Sequence, residues 1–244
     1  MKAVITAGGR IDGALAAAAG TSVKALLSVR GSTMLERIVA ALRRAGATSI
    51  AVVGGDEVRR ACGNLVERVV DESPSGSENM LRALRAWPED GEPLVYATSD
   101  LPYVTGAVVG DFLGRAPDGA LAMPLADFRE YAARFPAAPP SGITLAGERI
   151  VNGGVFSIPA GCAERIAANA RRFFDARKQP WRMASFVSPI ALVRFLAGRL
   201  SVGHLEEIAS RVLGVRAAGI RGCAPELAFD VDTAAEYEYA CAHP

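Results

Sequence analysis

The protein has 244 residues, of which half are apolar and 22% are charged, so it can bury the core of one sizeable α/β domain and is not a disordered chain. Its 27 Lys and Arg residues nearly balance its 26 Asp and Glu residues, which argues against nucleic-acid binding because such binding needs a basic excess. The four cysteines are widely separated, there are only two histidines, and no apolar run approaches the ~20 residues of a membrane span; we therefore expect a cytoplasmic protein without a zinc site or a membrane partner.

Short apolar runs alternate with amphipathic stretches over the first half of the chain. Buried strands are predicted at residues 2–6, 50–55, 66–72, 93–102 and 120–125. Thr33 and Glu36 have the spacing of a capping box, which predicts a helix between the first two strands. A second helix is predicted over residues 77–87 with Ser77 as its N-cap, and Thr105 is predicted to cap a third.

The second half of the chain begins with a Pro-rich stretch and is mostly helical. Residues 125–150 contain FPAAPPSG and are predicted to form an excursion or lid on the same domain. A strand is predicted at residues 152–159, helices at 160–176, 186–198 and 202–213, and a last strand at 226–233 before a short helix. The alternation implies βαβ crossovers, so we expect a single domain over residues 1–244 with a three-layer α/β fold: a mostly parallel sheet with helices on both faces.

Polar groups follow several of these strands, where ligands bind in open parallel sheets. Ala7, Gly8, Gly9 and Arg10 follow the first strand, Asp100 follows the fourth, and Asp230 and Asp232 follow the last. Glycine N–H groups can approach phosphate closely, and isolated carboxylates can hold Mg²⁺. The pattern fits a Mg²⁺–nucleotide site, although a Gly-Gly pair can also be a tight turn and Asp100 can cap a turn.

Three familiar motifs are absent from the sequence. There is no G-x-x-x-x-G-K-[ST], and Gly8, Gly9 and Gly13 do not have the G-x-G-x-x-G spacing of a dinucleotide site. There is also no G-x-S-x-G, and two histidines leave little material for an acyl-transfer triad. P-loop enzymes, Rossmann dehydrogenases and hydrolases of that type are therefore disfavoured.

Three separated segments, in this order, resemble the motifs of one family. AVITAGG with Lys24 downstream in VKALLSVRGSTMLERIVAAL, then TSDLP, then FDVDTAAEYEYA resemble the MobA-like NTP transferases, which are GT-A-like nucleotidyltransferases. The resemblance covers about the first 105 residues and the last twenty. It implies a GT-A-like nucleotidyltransferase fold. It also implies a Mg²⁺-dependent enzyme that transfers an NMP from an NTP to a phosphorylated small-molecule acceptor, such as a cofactor precursor or a sugar phosphate, with release of pyrophosphate.

The resemblance also implies roles for individual residues. The nucleotide and its phosphates would contact Ala7, Gly8, Gly9, Gly76 and Ser77. Phosphate charge would be neutralised by the catalytic candidates Lys24 and Arg10, and Mg²⁺ would be held by Asp100 and Asp232. The acceptor would bind on the variable part of the domain, around residues 125–215, at Asn152, Gly153, Gly154 and Lys178.

The first loop departs from the family pattern. Fourteen residues separate Gly9 from Lys24, and Val23 stands where the family has proline. A non-catalytic nucleotide-binding relative is therefore one alternative function. A GT-A glycosyltransferase using a nucleotide sugar is another, but it would need Asp-x-Asp at the end of the central strand, where SDLP has one carboxylate.

Several assignments remain open at the level of sequence. Asp230 can replace Asp232 as a metal ligand, the pair Gly153–Gly154 can be a β-bulge, and Lys178 can be a solvated cation at a helix end. The sequence does not identify the NTP, the acceptor or the oligomeric state.

Overall fold

A computed structural model of the protein describes residues 1–139, 141–176, 193–194 and 197–243. Lys178 lies outside the described residues, as does most of the helix predicted over residues 186–198. Within the described part, the chain forms eleven strands, nine α-helices and two short 3₁₀ helices.

The strands, in chain order, are β1 (Lys2–Thr6), β2 (Ser28–Val29), β3 (Ser32–Thr33), β4 (Ser49–Gly54), β5 (Arg68–Asp71), β6 (Leu94–Thr98), β7 (Ala120–Asp127), β8 (Ile143–Leu145), β9 (Glu148–Asn152), β10 (Val155–Ile158) and β11 (Arg216–Arg221). The helices are α1 (Gly13–Ala19), α2 (Met34–Arg44), α3 (Asp56–Cys62), α4 (Gly76–Leu84), α5 (Gly106–Arg115), α6 (Phe128–Arg134), α7 (Ala163–Ala176), α8 (Val202–Leu213) and α9 (Ala234–Ala242). The 3₁₀ helices are Lys24–Leu26 and Pro225–Leu227.

Nine strands form one sheet in the order β5–β4–β1–β6–β10–β7–β9–β8, with β11 paired to β7. Strands β5, β4, β1 and β6 are mutually parallel, β10 runs antiparallel to β6 and β7, and β11 runs parallel to β7. The remaining two strands, β2 and β3, form a separate hairpin. The sheet is therefore mixed but mostly parallel, as the alternation of strands and helices predicts.

Apolar clusters lie on both faces of this sheet. On one face, Ile5 of β1 belongs to the same buried cluster as Ile38 of α2 and Phe112 of α5. On the other face, Val4 of β1 is buried in a cluster with Leu81 of α4. Successive residues of a strand point to opposite faces, so one short β-branched run supports two helical layers. The three-layer α/β fold is confirmed.

The predicted helix caps are confirmed at two positions. The Thr33 hydroxyl accepts a hydrogen bond from the Glu36 N–H at 3.1 Å, and the Glu36 carboxylate accepts one from the Thr33 N–H at 2.7 Å. Thr105 Oγ1 likewise accepts from Val108 N at the start of α5. These contacts satisfy N–H groups that the first turn of a helix cannot satisfy internally.

Ser77 does not cap its helix, contrary to the prediction. The N-cap of α4 is Ser75, whose hydroxyl accepts from Glu78 N, while Ser77 lies within the first turn. Ser75 and Ser77 are hydrogen-bonded through their hydroxyls at 2.9 Å. The N-cap therefore lies two residues before the predicted one, and Gly76 is the first residue of the helix.

The last strand predicted, at residues 226–233, is also wrong. This segment begins with the 3₁₀ helix Pro225–Leu227 and continues without pairing in the sheet, and the last strand is β11 instead. Phe229 and Val231 are fully buried, but they pack in a cluster beside the sheet rather than between strands. Alternating apolar residues therefore marked a buried segment and not a strand.

The Pro-rich stretch at residues 125–150, predicted to form an excursion or lid, contains regular secondary structure. It contains α6 and β8 and the start of β9, and β9 pairs antiparallel with β7. Tyr131 of α6 and Phe135 are both buried, so this stretch belongs to the core of the protein.

Candidate functional site

The order of the strands reverses at β1, which places a crevice at the carboxyl ends of β1 and β6. The chain proceeds from β1 outward through β4 and β5, and then returns to add β6 on the other side of β1. Ligands of open α/β sheets bind at such a reversal. Gly8 and Gly9 follow β1, and Asp100 follows β6, so the topology brings the two predicted motifs side by side.

An open cleft of about 770 Å³ lies at this edge. The described residues that line it are Thr6, Gly8, Gly9, Arg10, Lys24, Glu72, Ser73, Pro74, Gly76, Asn79, Thr98, Ser99 and Asp100. Six residues of this set were predicted for the nucleotide site from the sequence, and they come from three loops that are far apart in the chain. A volume of this size is in the range of small-molecule sites, roughly 300–1,000 Å³.

Three carboxylates meet at one end of the cleft. One oxygen from each of Asp100, Asp230 and Asp232 lies within 4.8 Å of the others. The N–H of Val231 donates to the backbone carbonyl of Asp100 at 3.1 Å, which ties the C-terminal segment to the end of β6. The Glu236 carboxylate accepts the Asp232 N–H at 2.8 Å and fixes the other side of this segment.

This cluster fits a divalent cation that prefers oxygen ligands. Asp100 Oδ1 is buried and has no hydrogen-bond partner among the described residues, so a ligating oxygen is left free. Carboxylates supplying one oxygen each are the usual protein ligands of Mg²⁺, which completes its shell with phosphate and water. Both candidates for the second ligand, Asp230 and Asp232, are within reach, so the geometry leaves that choice open.

The electrostatics of the cluster differ between its members. Burial, together with the negative charges of Asp100 and Asp232, raises the pKa of Asp230 to about 6. Burial opposes the charged form of Lys24, but the two carboxylates outweigh it and raise the pKa of Lys24 above its ordinary value. The site therefore holds a permanent cation among carboxylates that repel one another.

Lys24 lies between two of these carboxylates. Its ammonium group is 2.6 Å from Asp100 Oδ2 and also forms an ion pair with Asp232. The backbone N–H of Lys24 donates to the carbonyl of Gly9 at 2.9 Å, so the lysine starts its 3₁₀ helix directly beside the glycine loop. The sequence prediction that Lys24 and Asp100 converge on one place agrees with this geometry.

The long insertion between Gly9 and Lys24 closes on itself. Arg10 and Val23 form an antiparallel bridge, and Ile11 N donates to the Ser22 carbonyl at 3.0 Å. Helix α1 lies beyond this closure and lengthens the loop without separating its two ends. The departure from the family spacing therefore does not displace Lys24 from the cleft.

Arg10 is engaged by carboxylates in this structure. Its guanidinium forms an ion pair with Glu72 and a longer one, 3.4 Å, with Glu57. The hydrogen bond to Glu72 is the main reason that the pKa of Arg10 is raised. Arg10 lines the cleft, but its guanidinium is paired with Glu72 and Glu57, so it is not free to bind phosphate in this structure.

Glu72 and Asn79 line the cleft and were not predicted from the sequence. Asn79 is 4% exposed, and its amide bonds both the N–H of Ser73 (2.6 Å) and the carbonyl of Ser73 (2.9 Å). Glu72 Oε2 is buried and has no partner within the described part of the chain. The signal that could have found Glu72 is its position directly after β5, the same rule that singles out Asp100 after β6.

Three of the predicted nucleotide contacts differ in their surroundings. Gly76 lines the cleft, whereas Ser77 is not among the residues that line it. Ala7 is fully buried, and its N–H donates to the Val53 carbonyl at 2.8 Å. Of these three, Gly76 is the one that the structure brings to the cleft wall.

Three of the four predicted acceptor residues, Asn152, Gly153 and Gly154, line a smaller cavity next to the carboxylates. It has a volume of about 140 Å³ and is lined by Thr98, Asp100, Leu101, Asn152, Gly153, Gly154, Phe156, Ala228 and Asp230. Thr98 and Asp100 also line the larger cleft, so the two cavities are adjacent.

Packing alone accounts for the two glycines of this cavity. A Cβ at Gly153 would lie 2.5 Å from the Leu227 carbonyl oxygen, and one at Gly154 would clash with Thr98 Oγ1. The N–H groups of both glycines donate to backbone carbonyls, of Pro124 and Leu227, where the strand changes partners between β9 and β10. The pair lies at the break between β9 and β10. The alternative that the sequence left open was a β-bulge, and acceptor binding by these glycines stays a prediction.

The sequence profile of the MobA-like NTP transferase domain matches residues 3–183. The chain belongs to the MobA-like NTP transferase family. The profile match covers the glycine loop, Lys24 and Asp100, and ends before the C-terminal pair Asp230 and Asp232. A comparison with curated proteins finds no match.

Solved structures with similar folds extend the comparison to the whole chain. A hypothetical transferase from Thermus thermophilus is 29% identical, with a TM-score of 0.82 over 97% of this chain and 98% of that one. A 2-C-methyl-D-erythritol 4-phosphate cytidylyltransferase from Thermus thermophilus is 16% identical (TM-score 0.58, 99% and 97% covered). A CMP:2-keto-3-deoxy-manno-octonic acid synthetase complexed with CTP is 15% identical (TM-score 0.58, 99% and 98% covered).

The last two likenesses concern the fold, which is that of nucleotidyltransferases. The family profile makes this MobA-like protein an NTP transferase in the general sense. No helix in the described part of the chain is long and apolar enough to cross a membrane.

Proposed function

We propose that the protein is a Mg²⁺-dependent nucleotidyltransferase that transfers an NMP from an NTP to a phosphorylated small molecule and releases pyrophosphate. One observation carries the proposal: three carboxylates and Lys24 meet at the end of β6, in the same cleft as the glycine loop after β1. Family membership supports the same reaction class.

The chain's own residues would bind and position the nucleotide. Gly8 and Gly9, which follow β1, line the cleft in which the phosphates would lie and would bind them through their N–H groups, and Lys24 is the cation next to them. Lys24 would exchange its carboxylate partners for phosphate oxygens when the nucleotide enters. Positioning and charge stabilisation are the main requirements of phosphoryl transfer.

Asp100 would hold Mg²⁺ with Asp232, or with Asp230 in its place. The bound ion would supply neutralisation of phosphate charge. An oxygen of the acceptor phosphate would form the new bond to the α-phosphorus while the bond to pyrophosphate breaks, and the leaving group would take the electron pair. A phosphate acceptor is already ionised, so this step needs no general base.

The acceptor would enter from the cavity lined by Asn152 and Phe156, since that cavity meets the cleft at Thr98 and Asp100. We place the acceptor side of this single domain, residues 1–244, on the variable part around residues 125–215. An acceptor there would have to approach the α-phosphorus from the side opposite the leaving pyrophosphate, as an in-line displacement requires.

A thermal-shift experiment with ATP, GTP, CTP and UTP, each with and without Mg²⁺, tests the proposal. At least one NTP is expected to raise the Tm, and Mg²⁺ to increase the shift, because a ligand that binds only the folded state stabilises it. The variant Asp100→Asn should lose the Mg²⁺-dependent part of the shift.

Asp111→Asn is the matched control, because Asp111 is exposed on α5 and pairs with Arg115 outside the cleft. It should respond to Mg²⁺ and NTP as the wild type does. If no NTP shifts the Tm, the proposal is wrong. Hydrolysis of a UDP- or GDP-sugar without pyrophosphate release from any NTP would favour a GT-A glycosyltransferase instead. Nucleotide binding without any turnover would favour a non-catalytic relative.

A further inference from the structure

Two larger cavities lie beyond the proposed acceptor cavity, between the sheet and helices α7 and α8. One has a volume of about 390 Å³ and lies against β7 and β9, where Ile150 and Leu205 line it. The other has about 460 Å³ and extends to α7, where Ile166 and Leu205 line it. Leu205 and Phe156 line both, so these cavities are neighbours under α8. We call them together the α8 cavities.

The walls of the α8 cavities are almost entirely apolar. Among the described lining residues, Tyr96, Glu206 and Asn152 carry polar side chains; Asn152 is exposed and also lines the acceptor cavity, and the Tyr96 hydroxyl is hydrogen-bonded to Thr6 at 3.0 Å. One Glu206 oxygen accepts the Gly219 N–H at 2.7 Å. Since the Tyr96 hydroxyl and one Glu206 oxygen already have partners within the protein, an apolar occupant can fill the space without leaving those two groups unsatisfied.

The α8 cavities adjoin the proposed reaction site through shared lining residues. Asn152 and Phe156 line the 140 Å³ acceptor cavity as well as the 390 Å³ cavity. The acceptor cavity in turn shares Thr98 and Asp100 with the nucleotide cleft. From the carboxylates, the acceptor cavity and then the apolar α8 cavities therefore follow one another, with Phe156 in the wall of each.

Apolar side chains beside the α8 cavities are partly exposed to solvent. Ile143 of β8 lines the 390 Å³ cavity and is 48% exposed. Leu205 and Ile208 of α8, which line the cavities, are only half-buried. Apolar surface left partly open beside a polar reaction centre is typical of a ligand site.

We propose that the acceptor is a phosphate monoester of an apolar body, with its phosphate at Asp100 and its apolar part in the α8 cavities. This assignment rests on the proposed nucleotidyl transfer and names the substrate class of that reaction. The phosphate oxygen attacks the nucleotide as described above, and the apolar part contributes binding energy away from the reacting atoms. Hydrophilic sugar phosphates would leave the α8 cavities empty.

Binding of a series of alkyl phosphates tests the proposal without any nucleotide. Methyl, butyl, hexyl and octyl phosphate, each below its micelle concentration, are titrated into the protein by calorimetry. The affinity should rise about fourfold with each methylene, the value for one CH₂ transferred from water to an apolar environment. An affinity that does not depend on chain length overturns the proposal.

A variant that fills the cavities provides the second arm. Ala209 on α8 lines both cavities, so Ala209→Trp should reduce octyl phosphate binding at least tenfold and leave methyl phosphate binding unchanged. Glu207→Trp is the matched control, because Glu207 is exposed on the neighbouring position of the same helix and should bind octyl phosphate as the wild type does. If both variants bind octyl phosphate equally, the alkyl chain lies elsewhere and the proposal is wrong.

Leu205→Ala provides a variant that enlarges the cavities instead. It should retain the preference for longer chains, so a folding defect in Ala209→Trp cannot alone decide the result. The two proposals fail separately. A Tm shift by Mg²⁺ and an NTP, without chain-length dependence, leaves nucleotidyl transfer standing and overturns the apolar acceptor. Chain-length dependence without any NTP shift contradicts nucleotidyl transfer, and with it the assignment of the α8 cavities to an acceptor.

Discussion

At the scale of single residues, the two glycines after β1 are neighbours in sequence with different surroundings. A Cβ at Gly8 would lie 2.5 Å from Glu72 Oε2 and 2.8 Å from Asn79 Nδ2. A Cβ at Gly9 would approach no atom closer than 3.5 Å, the distance to Lys24 Cβ. The first glycine is therefore required by packing, and the second is free to serve the cleft.

This difference predicts that two alanine substitutions affect stability to different extents. Gly8→Ala should lower the free energy of unfolding by about 1–3 kcal/mol, the usual cost of overpacking. The buried Asn79 amide is fixed by two hydrogen bonds to Ser73 and cannot move away freely. Gly9→Ala should change the free energy by less than about 0.5 kcal/mol.

Urea denaturation of both variants and the wild type measures these changes. Gly9→Ala is the control for the general cost of a methyl group in this loop. Equal stabilities of the two variants would show that Glu72 and Asn79 can adapt, and would contradict the packing argument.

The sequence predicts some residues of the cleft much better than others. Gly8, Gly9, Lys24 and Asp100 are recognisable because they lie in local motifs. Glu72 is not, because a carboxylate in a phosphate cleft makes sense only beside Arg10, which is 62 residues away in the chain. Contacts between distant segments are the part that local patterns do not contain.

At the scale of elements, the start of α4 shows how a cap is missed by two residues. Ser73, Ser75 and Ser77 all precede or begin the amphipathic stretch, and each has the residue type of an N-cap. Ser75 is the cap because its hydroxyl accepts from Glu78 N, which is three residues later. Composition alone could not choose among three serines.

Substituting two of these serines separates their roles. Ser75→Ala should destabilise the protein by about 1 kcal/mol, because the helix loses the acceptor for one of its first N–H groups. Ser77→Ala, inside the first turn, should cost less than about 0.5 kcal/mol. Thermal denaturation followed by circular dichroism measures both, and a larger loss for Ser77→Ala would place the cap at the position that the sequence suggested.

The central strand β1 was predicted from the sequence and β11 was not, for a physical reason. Strand β1 is a short β-branched run, fully buried on both faces, and such runs are distinctive. Strand β11 reads RAAGIR, which is half-exposed and contains Gly219. A Cβ at Gly219 would lie 2.5 Å from Leu125 Cδ1, so this glycine serves the close approach of β7. Nothing local in the sequence reports that approach.

At the scale of the whole molecule, the carboxylate cluster exists only in the folded protein. Asp100 and Asp232 come from segments more than half the chain apart, and an aromatic cluster anchors the second segment. The ring of Phe229 lies 5.0 Å from Tyr103 and 4.9 Å from Phe135. Packing around Phe229 therefore positions the carboxylates that follow it.

This anchoring predicts that a core substitution can weaken metal binding from a distance. Phe229→Leu should cost about 1–2 kcal/mol of stability and also reduce Mn²⁺ affinity several-fold, since the backbone at residues 230–232 loses its support. Ile38→Val, a comparable truncation under α2 on the other side of the core, should cost about 0.5–1.5 kcal/mol and leave Mn²⁺ affinity unchanged.

Mn²⁺ titrations followed by water proton relaxation give the affinities, and urea denaturation gives the stabilities. Both are measured at a temperature at which each variant is fully folded. If the two variants lose Mn²⁺ affinity equally, the effect comes from general destabilisation and not from the anchoring of the C-terminal segment.

The overall architecture was the most predictable level of all. Alternating strands and helices restrict the topology to parallel crossovers, and the order of three motifs restricts the family. The antiparallel pairings of β9 with β7 and of β10 with β6 were not predictable. They depend on a change of partners between the two strands, at Gly153 and Gly154. Pairing partners are decided by tertiary packing and are only weakly encoded locally.

The closure of the first loop has a consequence for how such chains can vary. The bridge between Arg10 and Val23 forms a neck, so the segment beyond it can lengthen or shorten while both ends stay in place. Evolution can therefore add a domain, a peptide or a whole partner-binding element after the neck at little cost to the cleft. Fixed spacing between glycine and lysine is then a poor criterion for recognising distant members of this family, and conserved neck residues would be a better one.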